Sequence, residues 1–180
     1  GHNVTVLDNL STGFRGNIDG SCELVVGDIR DEKCVSDCMV SQDVVFHLAA
    51  FTSVEGSFSD PQTCIDVNIN GTANILEKAV QFEVEKVVFS SSSAVYPEYP
   101  DDHKSEDGPV DPKSPYADSK WRGEHLVRKF NSEYQIQAVS LRYFNVYGPL
   151  QHPESSYAAV IPIFISRAQL GKSLTIYGNG

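Results

Sequence analysis

An α/β domain built on a parallel sheet is the fold class this sequence predicts, and three observations predict it. Five short apolar runs, Val4 to Leu7, Leu24 to Val26, Val44 to Leu48, Val87 to Phe89 and Ala138 to Leu141, are rich in β-branched residues and do not alternate. That is how strands buried on both faces read. Segments with helix-start signals separate the runs, as right-handed crossovers require. The third observation is size: 180 residues, 41% of them hydrophobic, suffice for one domain with a substantial core.

The elements follow in order. The first run reaches Asp8 within a few residues of Gly1, and the second ends at Val26 before Gly27-Asp28-Ile29. A short helix is expected from Asp31 to Val40, where Cys34 and Cys38 lie one turn apart. After the Val44 run, Asp60 caps a long helix that opens with Pro61 and runs to about Phe82, since proline suits the first helical position. The segment from Glu98 to Asp111 is acidic and proline-bearing and reads as an exposed loop. Ser114-Pro115 opens the next helix by the same cap-and-proline signal. Past Asn145 come a loop through Gly148-Pro149 to Ser156, an apolar helix from Ala158 to Leu170, and a last strand from Leu174 to Tyr177. There is no internal repeat.

Composition excludes several classes of function. Fourteen basic against 24 acidic residues give a net charge of -10, which argues against nucleic-acid backbones and anionic membranes as partners. Four cysteines without paired metal spacing read as reduced thiols in a cytoplasmic protein, and no metal site is expected. No apolar run approaches membrane length and no signal peptide opens the chain. Starting at Gly1 and stopping at Gly180, with strand-like residues near both ends, the sequence is expected to be a piece of a longer one.

In parallel α/β sheets ligands lie beyond the carboxyl ends of the strands, so the residues just after each strand form one set. Asp8 opens Asp8-Asn9-Leu10-Ser11-Thr12-Gly13. A carboxylate placed there in a dinucleotide-binding fold accepts from adenosine ribose hydroxyls and favours NAD over NADP; alone, it reads first as a turn or cap aspartate. Asp28 and Ile29 could flank an adenine, or be only a turn. His47 reads first as a satisfied core histidine, and the small residues of Leu48-Ala49-Ala50 would let a flat cofactor lie on the backbone. Ser90-Ser91-Ser92-Ser93 is a run of hydroxyls too polar for strand core without a purpose.

Tyr116 and Lys120 stand four residues apart at a helix start and should share one face. A nearby ammonium favours the phenolate and lowers a tyrosine from its ordinary value near 10, so the pair is a candidate acid/base device. By itself the spacing is common.

Together these motifs resemble the extended short-chain dehydrogenase/reductase family, and most of all its UDP-glucose 4-epimerase branch. The resemblance is carried by the Asp8 to Gly13 stretch, Gly27-Asp28-Ile29, His47-Leu48-Ala49-Ala50, Asn68 in Asn68-Ile69-Asn70-Gly71-Thr72, the serine run, Tyr116 with Lys120, and Arg142-Tyr143-Phe144-Asn145. It covers essentially the whole chain. It implies a Rossmann-like doubly wound parallel sheet over residues 1–148 and the start of a nucleotide-sugar region over 149–180.

The resemblance also implies roles. Asp8, Asn9, Ser11, Thr12, Gly13, Asp28 and Ile29 would line the adenosine half of NAD; Leu48, Ala49, Ala50, Thr52, Asn68 and Phe144 would contact it further along. Ser92, with Ser91 as the alternative register, Tyr116 and Lys120 would be catalytic and touch cofactor too. Asn145, Val160, Thr175, Ile176 and Tyr177 would hold the UDP-sugar, with Ala159 leaving sugar preference open. In the implied reaction Tyr116 takes the proton of the sugar 4-hydroxyl while C4 yields hydride to NAD, and the 4-keto sugar turns over and is reduced on its other face. Family members that go on to 4,6-dehydration or decarboxylation carry an acid just after the catalytic hydroxyl; here Ser93 and Ala94 follow Ser92, which favours epimerisation.

Against the family pattern, the 180 residues contain no Gly-x-x-Gly-x-x-Gly loop to hold a pyrophosphate. The strand before that loop belongs between those ending at Asp8 and Leu48, so a gap is expected there, and the family's C-terminal substrate region is expected beyond Gly180. The 180 residues alone are therefore expected to be inactive. Competing expectations are another extended-family activity (a UDP-glucuronate or UDP-N-acetylhexosamine epimerase, or a 4,6-dehydratase) or a catalytically silent NAD-binding regulator, which by habit loses the tyrosine or lysine kept here. A homodimer through the Pro61 and Tyr116 helices is the family's habit.

Overall fold

The computed structural model describes residues 1–98, 103–151, 160–176 and 178. They fall into two compact units, Gly1–Tyr143 and Phe144–Gly180, so the division comes a few residues before the one expected at 148/149.

The first unit holds five strands, all paired in parallel. Strands β1 (Thr5–Asp8) and β2 (Glu23–Val26) form one sheet; β3 (Val44–His47), β4 (Lys86–Ser92) and β5 (Gln137–Tyr143) form a second in the order β3-β4-β5. No pairing joins β1 to β3 among the described residues, which is where a gap was expected. Phe46 on β3 is 68% exposed, as an apolar residue on an uncovered strand must be.

Helix α1 (Glu32–Met39) is capped by Asp31, whose carboxylate accepts from the backbone of Lys33 and Cys34. Two departures from the sequence reading follow β3. A short helix, α2 (Val54–Ser59), was not foreseen; Ser53 caps it, but six residues are too few to show periodicity. The expected long helix is three segments: α3 (Pro61–Ile65), a π-helical turn (Asp66–Gly71) and α4 (Thr72–Gln81). A π turn inserts one residue into the ladder and re-aims its side chains; here it carries Asn68 inward. At Gly71 an added Cβ would lie 2.5 Å from the Ile29 side chain, so only glycine lets the turn approach the loop after β2.

Helix α5 (Pro115–Tyr134) begins as the sequence indicated, with Ser114 accepting from Ala117 N at 3.1 Å and Pro115 in the first turn. Its buried stripe runs through Ala117, Lys120, Glu124, Val127 and Phe130, the three-to-four spacing of a core-facing helix. Val87 and Phe89 of β4 complete this core with Leu76, Ala79 and Val84. In the second unit α6 (Val160–Gln169) is the apolar helix expected there. The expected last strand is not one: Leu174 to Ile176 form no ladder, and Tyr177 and Ala159 lie outside the described residues.

Candidate active site

The site is built where β4 gives way to α5. Side chains alternate along a strand, so adjacent serines of the run point to opposite sides. Ser91 is buried against α5, its hydroxyl donating to Glu124 Oε1 at 2.6 Å. Ser92, half-buried, accepts from Ala94 N at 3.1 Å and lies close enough to the Tyr116 phenol to act on its ionisation. Of the two registers open in the sequence, the structure brings Ser92 to the tyrosine.

Tyr116 is held at its backbone, with its N–H donating to Ser57 Oγ at 3.1 Å and its carbonyl accepting from Ser119 Oγ at 2.7 Å. Burial pushes the phenol above its ordinary value and outweighs the nearby Ser92 hydroxyl, which pulls it down. Here the expected tuning by Lys120 is absent. The ammonium donates instead to Ser90 O at 3.0 Å and lies 5.8 Å from the centre of the tyrosine ring. Lys120 is 4% exposed, and burial lowers it to about 8. That carbonyl is its one hydrogen-bond partner among the described residues. A buried ammonium has three protons to place, so two remain for a ligand.

Asn68, expected to touch cofactor, is spent on the protein. Its Oδ1 accepts from Phe51 N at 2.7 Å, while its Nδ2 donates to Phe51 O at 3.0 Å and to Ser119 Oγ at 2.9 Å. It clamps the Leu48–Thr52 loop to α5. That loop leaves Leu48, Ala49 and Thr52 exposed and Ala50 half-buried. His47 is the core histidine of the first reading. Thr72 Oγ1 gives its one proton to Asn68 O at 2.7 Å, so at 2.8 Å it must accept from His47 Nε2, which places a proton on that nitrogen; burial holds the ring down to about 3 and so keeps it neutral near pH 7.

At the other sheet, Asp8 Oδ1 accepts from Leu10 N at 2.7 Å, leaving Oδ2 without a donor among the described residues. Asn9 bridges Ser11 N and the Asp28 carboxylate, and Ser11, Thr12 and Gly13 are exposed. Asp28 is taken up by Arg30, whose hydrogen bonds hold it well below the usual carboxylate range. Ile29 does not present itself as an adenine wall: its side chain is buried in the core against Gly71. In the second unit Phe144, Asn145, Val160, Thr175 and Ile176 are exposed, and Thr175 Oγ1 accepts from Arg167. A cavity of about 310 Å³ bordered by Thr5, Cys34, Cys38 and Gln42 contains none of the candidate residues. Among the described residues no three His, Cys, Asp or Glu gather to hold a metal.

Sequence reading missed Glu124 and Arg142 as a pair. Arg142 Nε and Nη2 reach Glu124 Oε1 and Oε2 at 2.8 and 2.9 Å. Burial raises the carboxyl, but the Arg142 and Ser91 bonds outweigh it and hold Glu124 below its ordinary value. The signal was available: Glu124 follows Tyr116 by eight residues and Lys120 by four, a charged side chain on the stripe that faces the core.

A parallel α/β unit with a serine, a tyrosine and a buried lysine at the end of a strand is the arrangement of a short-chain dehydrogenase/reductase. The whole chain, residues 1–180, matches the NAD dependent epimerase/dehydratase family, and it belongs to that family. It is 40% identical over 181 residues to a putative UDP-glucose 4-epimerase of Methanocaldococcus jannaschii, covering 99% of this chain and 59% of the relative. Its fold superposes on the UDP-glucose 4-epimerase of Thermotoga maritima, solved with UDP-glucose, at TM-score 0.93 and 35% identity over 100% of this chain and 59% of that one. The Thermus thermophilus UDP-glucose 4-epimerase, solved with NAD, gives TM-score 0.87 and 41% identity over 96% and 57%. The chain thus spans less than two thirds of the length of these relatives.

Proposed function

We propose that this chain belongs to an NAD-dependent nucleotide-sugar 4-epimerase that interconverts UDP-glucose and UDP-galactose, or related UDP-sugars, through a 4-keto sugar. The observation that carries the reading is the convergence of the Ser92 hydroxyl, the Tyr116 phenol and the buried Lys120 ammonium at the end of β4. Ser93 and Ala94 follow Ser92 in a 3-10 turn, so neither neighbour offers the carboxylate that further elimination chemistry uses.

The residues fit the cofactor. Lys120 has two ammonium protons uncommitted in a buried position, a donor set suited to a ribose diol, and Asp8 Oδ2 is open to hydroxyl donors. Asp8, Asn9 and Ser11 to Gly13 would hold the adenosine side, with Asp28 shaping that turn through Asn9 and Arg30; Leu48, Ala49, Ala50, Thr52 and Lys120 would hold the remainder. NAD supplies the site that accepts the hydride from the sugar carbon and returns it. Tyr116 removes the proton of the 4-hydroxyl and later gives it back. Ser92 gives its one proton to the reacting oxygen, and Lys120 turns its uncommitted ammonium protons toward the cofactor. Phe144 is assigned to the cofactor, and Asn145, Val160, Thr175, Ile176 and Tyr177 to the nucleotide sugar, on the resemblance.

Exposed Phe58 and Ile65 on α2 and α3 support a homodimer through that face, and four free cysteines support the reducing cytoplasm. Among the described residues no helix is long and apolar enough to cross a membrane. The direct test supplies UDP-galactose to the protein at the full length of its relatives. Appearance of UDP-glucose is expected; a 4-keto-6-deoxy sugar formed from a nucleotide-glucose would assign the site to the dehydratases of the same family.

A further inference from the structure

A run of four serines carries no register of its own. Ser90 to Ser93 are chemically alike, and because strand side chains alternate, a slip of one residue exchanges the hydroxyls that face each side. Val87 and Phe89, buried earlier in the same strand with Phe89 against Gly123 of α5, set the alternation leading into the run; within the run, a contact specific to one hydroxyl must hold that setting.

Glu124 is placed to do so. It is 3% exposed on the core-facing stripe of α5. Ser91 and Arg142 stand directly opposite each other on β4 and β5, and this one carboxylate binds both: Ser91 Oγ at 2.6 Å, Arg142 Nε at 2.8 Å and Arg142 Nη2 at 2.9 Å. Arg142 is fixed in turn, donating to Glu106 O at 3.2 Å and lying over the rings of Tyr96 and Trp121. Removing a charge pair from water costs several kcal/mol per ion, and an apolar pair of equal volume often stabilises a fold as well or better. What the ion pair adds is direction: a carboxylate accepts from specific donors at specific places, and an aliphatic contact does not.

We propose that Glu124, anchored by Arg142, is a positioning residue: by capturing Ser91 on the α5 side it holds the serine run so that Ser92, and not a neighbour, faces Tyr116. The inference rests on the reading of Ser92 and Tyr116 given above.

Two variants test it in the protein at the full length of its relatives. Glu124→Gln keeps the shape and removes the charge, and Ser91→Ala leaves the ion pair whole and removes only the captured hydroxyl. Both variants weaken or remove the one charge-assisted hydrogen bond between Ser91 and Glu124, so kcat is expected to fall by about tenfold in Glu124→Gln and in Ser91→Ala alike, with KM changed less than about twofold. Ser92→Ala should cost less in the Glu124→Gln background than alone, because neighbouring serines then share its place. A second readout needs no turnover. The Tyr116 phenol, followed by ultraviolet titration against Tyr116→Phe controls, should titrate higher in Glu124→Gln as the lowering influence of the Ser92 hydroxyl is lost. If the unsubstituted protein turns over no nucleotide sugar, the functional reading fails, while this titration still judges Glu124. A folded Glu124→Gln with kcat within twofold and an unmoved Tyr116 titration overturns the proposal. Should that variant not fold, Ser91→Ala decides by the same two readouts.

Discussion

Lys120, which we propose holds the cofactor, occupies a position where burial of its ammonium works against stability. Burial drives its ammonium down to about 8, and it meets one carbonyl where three acceptors could be satisfied. Lys120→Met should therefore raise the urea midpoint at pH 7, by about 1–3 kcal/mol of folding free energy from the relieved desolvation, and abolish turnover. A stability loss would show that the Ser90 contact outweighs burial. His47 sets a pH dependence of the same sign, at lower pH. Its folded value of about 3 lies below the ordinary 6.5, so the unfolded chain binds more protons between those values and stability falls as pH drops through them. His47→Gln, which can still donate to Thr72, should flatten the fall of the urea midpoint between pH 6.5 and 5. An unchanged slope would assign that limb to carboxylates instead.

At the level of elements, the site depends on how closely α5 lies on β4. A Cβ added at Gly123 would meet the Phe89 ring at 2.4 Å, so Gly123→Ala should destabilise by about 1–3 kcal/mol through overpacking, read by thermal or urea unfolding, and Phe89→Leu in the same chain should recover part of the loss. These elements were also where the sequence was most legible. Ser114-Pro115 located the start of α5 to the residue because cap and proline chemistry are local, and the five strands appeared as unbroken apolar runs because strands of parallel sheets carry apolar side chains on both faces. Helix α2 was too short for a period to register, and the π turn at Asn68 depends on Gly71 meeting Ile29 from a distant loop. The Leu174 run had strand composition without a partner strand to pair with among the described residues. In the site, Tyr116 and Lys120 were legible as a spacing, but the choice of Ser92 over Ser91 required the pleat, and the Glu124–Arg142 pair required the packing of α5 on β5. Resemblance marked Asn68 as a cofactor contact; its three hydrogen bonds to Phe51 and Ser119 make it the clamp of the loop instead.

Taken whole, the first unit has two parallel sheets whose edges at β1 and β3 remain unpaired with each other, while the tyrosine, serine and lysine are already assembled on the β3-β4-β5 side. The proposed catalytic residues and the proposed adenosine-binding turn thus lie on separate sheets, and the chain covers 59% of the Methanocaldococcus jannaschii relative. Activity is therefore best measured in a form that spans the relatives' full length. The central claim is that Tyr116 moves the proton of the sugar 4-hydroxyl. The measurement that tests it most directly is the kcat of Tyr116→Phe for the interconversion of UDP-galactose and UDP-glucose, taken beside the unsubstituted protein at the same pH. General acid–base catalysis is worth about 10²–10⁴ in rate, so a loss of at least about a hundredfold, with the fold retained by circular dichroism, is the predicted result; near-normal turnover by the phenylalanine variant would contradict it.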